Sequence, residues 1–565
     1  MIGGSLRHAA RRLRAPALAV AGCAAGTSLY LRGADEEFRH VSESELPTTY
    51  DPEAFAAVWS AHPRCCLARL REIVARVAPL AAVVLRDSLR GGVPGESEAE
   101  RDARYALRAR ELRGCLTDLG PTFIKAGQAL SIRPDVLPPP AVYELQKLCD
   151  AVPSYPTAAA LALIEAELGA PASSLFELDA SSEPIAAASL GQVYRCRLRE
   201  GGAEVALKVQ RPDMIRAVSL DLYLLRRYCL FVEWFKVRVL TNLLGAAERT
   251  PFDVALLDTF ARASYLELDY LHEAANLERF RTELLPRLGS SVYVPRSYPA
   301  VTTRKVLATE WIEGEQLARS PLEVINRLIA TGVDCFISQL LDVGFFHSDP
   351  HPGNLLVDAR GRLVLIDFGL CAEIAAFDTR HLTSAIVNLM RGDVEGLVDD
   401  AITLRFLPPD VDREALLPPL RRVFEQGRLA AATQASESLG GGGRRRGGGR
   451  AAEYSAVASK RRQFAAISRD LNQIFFDFPF AVPEYFALIT RALIVLEGIA
   501  LTGDKDFDLF QAAYPLAAQH AARLFGAKQL ASMLGEAKAA ERSWRALLRR
   551  ESRQPRGQLP SVEVL

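Results

Sequence analysis

The chain lacks a net charge: 68 lysines and arginines balance 68 aspartates and glutamates over 565 residues, so no global basic surface points to nucleic acid. It also lacks thiols at metal-ligand spacing. The nine cysteines include no CxxC pair and no Cys/His cluster, and the adjacent Cys65 and Cys66 are a poor match to disulfide geometry, which makes a reducing compartment the best fit. Long uninterrupted apolar runs are scarce too. The stretch from Ala15 to Leu31 is rich in Ala and Gly and marginal as a spanning helix, and the later run FALITRALIVLEGIALTG is broken by Arg491 and Glu497, which suits a packed helix better. What is present is a composition 49% hydrophobic, enough for a sizeable core, in a chain long enough for roughly two to four domains.

Residues 1–34 carry five arginines and no acid among small residues, the composition of an organelle-targeting peptide, with a signal-type segment or plain anchor as the alternative. Within 35–100, the stretch YDPEAFAAVWSAHPRCCLARLREIVARVAPLAAVVLRDSL spaces Leu, Val and Ile at three and four with Arg between. That spacing predicts a basic amphipathic helix, which either lies on a membrane surface or docks on its own domain. Residues 101–180 predict a helical hairpin opened by Gly120-Pro121, followed by a helix over ALALIEAEL capped by Gly169. The pattern then changes to strands around Val193–Leu198 and Glu204–Val209, joined by a Gly-Gly hairpin turn. Lys208 alternates with apolar neighbours in the second strand, and burial there requires a partner carboxylate.

LELDYLHEAANLERF reads as one acidic helix with Glu267, Asp269, Glu273 and Asn276. At 100° per residue Glu267 and Glu273 stand about 240° apart, so they need different partners, and Lys208 and Lys125 are available. FFHSDPHPGNLLVDARGRLVLIDFGL then places Asp349, Asn354 and Asp367 as the catalytic and metal-binding segments of a protein kinase place theirs. A small-residue turn, a strand lysine, an acidic helix, this loop and an Asp-Phe-Gly, in that order, predict a kinase-like fold. His347 and His351 are four apart, but the segment is not helical and Pro350 and Pro352 splay the two rings, so they are expected to hold the loop and not a metal.

Taken together, KAGQ at Lys125–Gln128, AAASLGQV at Ala186–Val193, ELD at Glu267–Asp269, HSDPHPGN and DFG resemble the UbiB family of atypical kinases, also called aarF-domain or ADCK proteins. The resemblance runs from about Leu119 to Tyr514, and the wording between motifs is most similar to the cyanobacterial and plastid branch. It implies an α+β, two-lobed protein-kinase-like fold with a KxGQ helical extension at 101–180. The N-lobe would span 181–317 and the C-lobe, with the catalytic loop and DFG, 318–437. A Gly/Arg-rich loop at 438–452, an all-helical C-terminal subdomain at 453–535 and a tail at 536–565 would follow.

The resemblance also implies roles. Lys208 would pair the α and β phosphates, oriented by Glu273, with Asp349 as catalytic base or orienter and Asn354 and Asp367 as magnesium ligands. The loop Ala186, Ala187, Ala188, Ser189, Leu190, Gly191, Gln192 and Val193 would meet the nucleotide, and Glu310 and Ile312 its base. Lys125, Gly127 and Gln128, with Glu267 and Asp269, would cover the cleft and regulate it. The expected cofactors are ATP or ADP with Mg2+. Expected partners are a lipid membrane surface, a prenylquinone or its precursors and prenylquinone-biosynthesis proteins, with no nucleic acid. The expected location is a plastid, at thylakoid or plastoglobule, or alternatively a mitochondrion.

Departures from ordinary kinases narrow the activity. Alanines replace the GxGxxG glycines and restrict close phosphate approach; 65 residues separate Lys208 from Glu273; no APE segment follows the DFG. These features favour an ATPase or a small-molecule or lipid kinase; a role in ubiquinone, plastoquinone or tocopherol metabolism is what the family resemblance alone implies. A protein serine/threonine kinase and a nucleotide-binding pseudokinase scaffold stay open as alternatives.

Overall fold

The computed structural model describes residues 33–89, 97–131, 137–149, 153–235, 254–348, 351–425 and 483–503, with a few isolated positions besides. Residues 1–30, the Gly/Arg-rich loop at 438–452 and the tail at 536–565 lie outside the described residues, as does most of 453–535. The described elements mix helix and sheet, with helix predominating. They belong to two compact units. The first takes the chain up to Phe280 together with Val294–Glu313 and Asp367–Leu370; the second takes Arg281–Tyr293, Gly314–Ile366 and the chain from Cys371 on.

The first unit begins with helices α1 (Ala34–His40), α2 (Pro52–Ser60), α3 (Pro63–Leu89), α4 (Glu98–Leu119), α5 (Pro121–Leu130), α6 (Pro139–Gln146) and α7 (Thr157–Leu168). The single amphipathic helix expected after Tyr50 is therefore two. Asp51 caps α2 by accepting from the Glu53 and Ala54 N–H groups, and the chain turns at Ala61 and His62 before Pro63, whose ring favours the first helical position over an interior one. This region also contributes to the core of its unit. Phe55 and Trp59 are fully buried, Phe55 lies edge-on against Tyr265, and Trp59 Nε1 donates to Ser219 Oγ at 3.2 Å. The first turns of α3 dock on their own unit: Arg69 pairs with the buried Asp221 at 2.8 Å.

The sheet of this unit is antiparallel, in the order β1 (Ala186–Ala187), β2 (Gly191–Arg197), β3 (Glu204–Gln210) and a fourth strand, Val306–Glu310. Gly201 and Gly202, at φ +76° and +66°, make the β2–β3 turn, a conformation that glycine adopts without steric cost. Period-2 alternation sends Tyr194, Cys196, Val205, Leu207 and Val209 into a core with Ala160 and Ile164 of α7. Lys208 consequently points to the opposite face. Helices α8 (Met214–Phe235) and α9 (Val254–Leu266) occupy the chain between Lys208 and the acidic segment, and α10 (Tyr270–Arg279) carries Glu273.

In the second unit, α11 (Leu322–Ser338) runs through a further turn to Val343. Leu322–Val343 is long and apolar enough to cross a membrane, yet 67% of its most apolar window is buried. A four-stranded sheet pairs Gly314–Gln316, Leu355–Asp358, Leu363–Leu365 and Val292–Tyr293, and Phe345–His347 pairs with Cys371–Glu373. Helices α12 (Ala376–Arg391), α13 (Val394–Thr403) and α14 (Glu484–Gly503) also belong to it, with Ala492, Leu496, Ile499 and Ala500 of α14 buried. The helix expected across Arg491 and Glu497 is thus a packed one.

Candidate functional site

Lys208 Nζ lies 2.8 and 3.1 Å from the two Glu273 carboxylate oxygens and 3.4 Å from Asp367 Oδ2. Burial works against its charge, but the carboxylates of Asp367 and Glu273 outweigh burial and hold the ammonium well above lysine's ordinary pKa. Burial pushes the Glu273 carboxyl up to about 7, with Lys208 pulling it down and Asp367 pushing it further up. Lys208 thus lies between the carboxylates of Glu273 and Asp367. Val193 and Leu307 are the register partners of Lys208 on either side and share its face of the sheet.

The acidic segment is not one helix. It breaks at Glu267–Asp269, so the 240° argument does not apply, although the two acids do find different lysines: Glu267 pairs with Lys125 of α5 and Glu273 with Lys208. The break survives because β3 and the bend before the fourth strand supply hydrogen bonds that a helix would have made. Gln210 Nε2 donates to the Leu268 carbonyl at 3.0 Å, and the Tyr270 N–H donates to the Arg304 carbonyl at 3.0 Å. Asp269 caps α10 by accepting from the Leu271 N–H at 3.0 Å. In the KAGQ stretch, Gly127 lets α5 press against Leu116 and Leu148, and Gln128 Nε2 donates to the Leu148 carbonyl at 3.3 Å.

The Asp-Phe-Gly segment, expected with the 318–437 block, packs in the first unit instead. Phe368 is fully buried against Phe280, with ring centroids 4.8 Å apart, and Asn276 Nδ2 donates to its carbonyl at 2.9 Å. Asp367 sits at φ +62°, a region that aspartate tolerates better than most residues, and its Oδ1 accepts from the Gly369 N–H at 3.3 Å.

The alanine loop is held from behind. The Ala188 N–H donates to the Gly191 carbonyl at 2.8 Å, leaving Ser189 and Leu190 as the tip. Arg211 fixes the tip twice, its backbone N–H on the Leu190 carbonyl at 2.8 Å and its guanidinium on the Ala188 carbonyl at 3.2 Å. A Cβ on Gly191 would stand 2.5 Å from the Val209 carbonyl oxygen, so only glycine fits there. Gln192, expected to face a nucleotide, is fully buried and spends its amide on the Tyr155 backbone, at 3.1 and 3.2 Å. In the segment expected to meet a base, the Glu310 N–H already donates to the Arg296 carbonyl and the Trp311 N–H to the Glu204 carbonyl.

In the second unit, Asp349 lies outside the described residues. Asn354 ends the turn that follows His351, and its carbonyl accepts from the Ile366 N–H at 3.0 Å. The His351 Nδ1 accepts from the Gly353 N–H, and His347 is buried with its Nε2 3.4 Å from the Ile366 carbonyl. Among the described residues no three His, Cys, Asp or Glu side chains gather as a metal-binding group. Sequence reasoning missed Tyr270, Phe280, Arg211 and the job of Asn276. A signal existed for part of this: Glu273, Asn276, Leu277 and Phe280 are buried at helical spacing, which turns polar residues inward on one face of α10.

Residues 147–401 match the ABC1 atypical kinase-like domain. An uncharacterized protein of Synechocystis is 36% identical over 85% of this chain and 77% of its own length. The chain belongs to the ABC1/aarF atypical kinase-like family. Another uncharacterized Synechocystis protein is 37% identical over 83% of this chain and 63% of its own, and Protein ACTIVITY OF BC1 COMPLEX KINASE 3, chloroplastic, of Arabidopsis thaliana is 37% identical over 85% and 61%. This ABC1-family chain thus spans about three fifths of the length of those two curated relatives. These cyanobacterial and chloroplastic relatives place it in the plastid and cyanobacterial branch.

Proposed function

We propose that the chain is a kinase-like ATPase, or a small-molecule or lipid kinase, that binds Mg-nucleotide at an organelle membrane and supports prenylquinone synthesis or homeostasis. The observation that carries the nucleotide part is the Lys208–Glu273–Asp367 group: a strand lysine, paired with a helix glutamate, beside the aspartate of a DFG. In this reading the first unit's sheet and α10 are the N-lobe and α1–α6 include the KxGQ extension. Lys208 holds phosphate oxygens, Val193 and Leu307 give the nucleotide an apolar surface, and the donor to the base falls to Ile312. Asp367 carries the hard carboxylate oxygens that Mg2+ takes, a ligand role that the family resemblance gives to Asn354 as well. Bound there, the cation would neutralise phosphate charge; Asp349 would orient the attacking group. A plastid location rests on the chloroplastic relative, and the quinone role on the family resemblance.

The test is MgATP binding and hydrolysis by the full chain, with and without anionic liposomes, beside Asp349→Asn and Asp367→Asn. Hydrolysis that both variants abolish, with binding kept in Asp349→Asn, is the expected result. Nucleotide binding with no turnover under any condition would overturn the ATPase reading.

A further inference from the structure

Tyr270 is the first residue of α10 and is 1% exposed, yet among the described residues no group hydrogen-bonds its hydroxyl. Leaving a buried donor unmatched is costly, and folded proteins satisfy nearly all such groups. The surroundings are specific. The Lys208 ammonium lies over the ring, 5.1 Å from its centroid, and the hydroxyl is so close beneath the alanine loop that a Cβ on Gly191 would stand 2.7 Å from it. One side chain thus touches the loop, the strand lysine and the helix turn that presents Glu273. Burial raises the phenol pKa well above its ordinary value, so the hydroxyl stays protonated and able to donate.

We infer that Tyr270 is a phosphate-sensing positioning residue: when a nucleotide lifts the loop at Gly191, the hydroxyl donates to a phosphate oxygen held by Lys208, and the ring keeps that lysine aligned on Glu273. This rests on the nucleotide reading proposed above. It explains why a hydroxyl is kept where phenylalanine would fill the same space without an unmatched donor.

Tyr270→Phe separates this from a structural role. A hydrogen bond to a charged acceptor is worth about 10- to 100-fold in affinity, so MgATP and MgADP should bind Tyr270→Phe more weakly by that factor. Competition by adenosine, which has no phosphate, should not change, and the Tm of the nucleotide-free variant should equal or exceed that of the wild type. Unchanged MgATP affinity in Tyr270→Phe overturns the inference, as does an equal loss for adenosine or a fall in nucleotide-free Tm, which would mark a purely structural hydroxyl. Wild-type protein that binds no nucleotide would instead sink the nucleotide reading itself, and this inference with it.

Discussion

Glu273 is held between a cation that favours its charge and a carboxylate and apolar surroundings that oppose it. Because its pKa, about 7, lies above the ordinary 4.5, the native state binds this proton more tightly than the unfolded chain. Its contribution to stability is therefore full below the ordinary glutamate range and is lost as pH rises through about 7. Denaturant unfolding across that interval should show wild-type stability declining relative to Glu273→Gln, whose slope should be flatter; parallel curves would show that Glu273 does not carry the proton. At Gly191 the neighbour is backbone, which cannot rotate away as a side chain can. Gly191→Ala is expected to lose about 1–3 kcal/mol, read as a lower urea midpoint at unchanged slope. Lys208 was legible in the sequence because strand alternation is local, and a buried lysine announces its need for an acid. Arg211 was not, since its task is set by the fold of a loop more than twenty residues earlier.

The break between α9 and α10 shows how far an element can depart from its local pattern. Nothing in LELDYLHEAANLERF interrupts helical propensity, and a continuous helix is the natural reading. The interruption is instead maintained by Gln210 and Arg304, partners distant in sequence whose arrival at Leu268 and Tyr270 no local window contains. Asp269 then serves as a helix cap. Asp269→Ala should cost about 1 kcal/mol in chemical denaturation, while Asp269→Asn, which keeps an acceptor oxygen, should cost much less. By contrast, the C-terminal end of α7 at Gly169 and the β2–β3 hairpin with its paired glycines were legible, because local turn chemistry fixes both, although α7 starts three residues and β2 two residues earlier than the sequence suggested.

For the whole molecule, the N-terminal helices matter more than their sequence suggests. Phe55 and Trp59 share a core with Tyr265, Met214 and Val218, and the segment before them is tied down where Lys305 meets Glu43 at 2.6 Å and the Tyr265 hydroxyl donates to the Pro47 carbonyl at 2.8 Å. Removing residues 1–62 should expose that core and yield insoluble or molten protein, whereas removing 1–32 should leave a cooperative thermal transition; near-UV circular dichroism distinguishes the two. An amphipathic pattern alone cannot separate a helix that covers a membrane from one that covers its own protein, which is why the docking of α2 was not decided by the sequence.

The packing of Gly127 and Gln128 on Leu148 bears on what can be cut from the gene. The family match starts at residue 147, just where that grip is made, so a fragment of 147–401 carries Leu148 without the helix it is seated against. The backbone also passes between the two units five times, at 280, 293, 313, 366 and 370, so no single incision yields either unit whole. The segment by which these relatives are recognised is therefore smaller than the segment that must be translated together to fold.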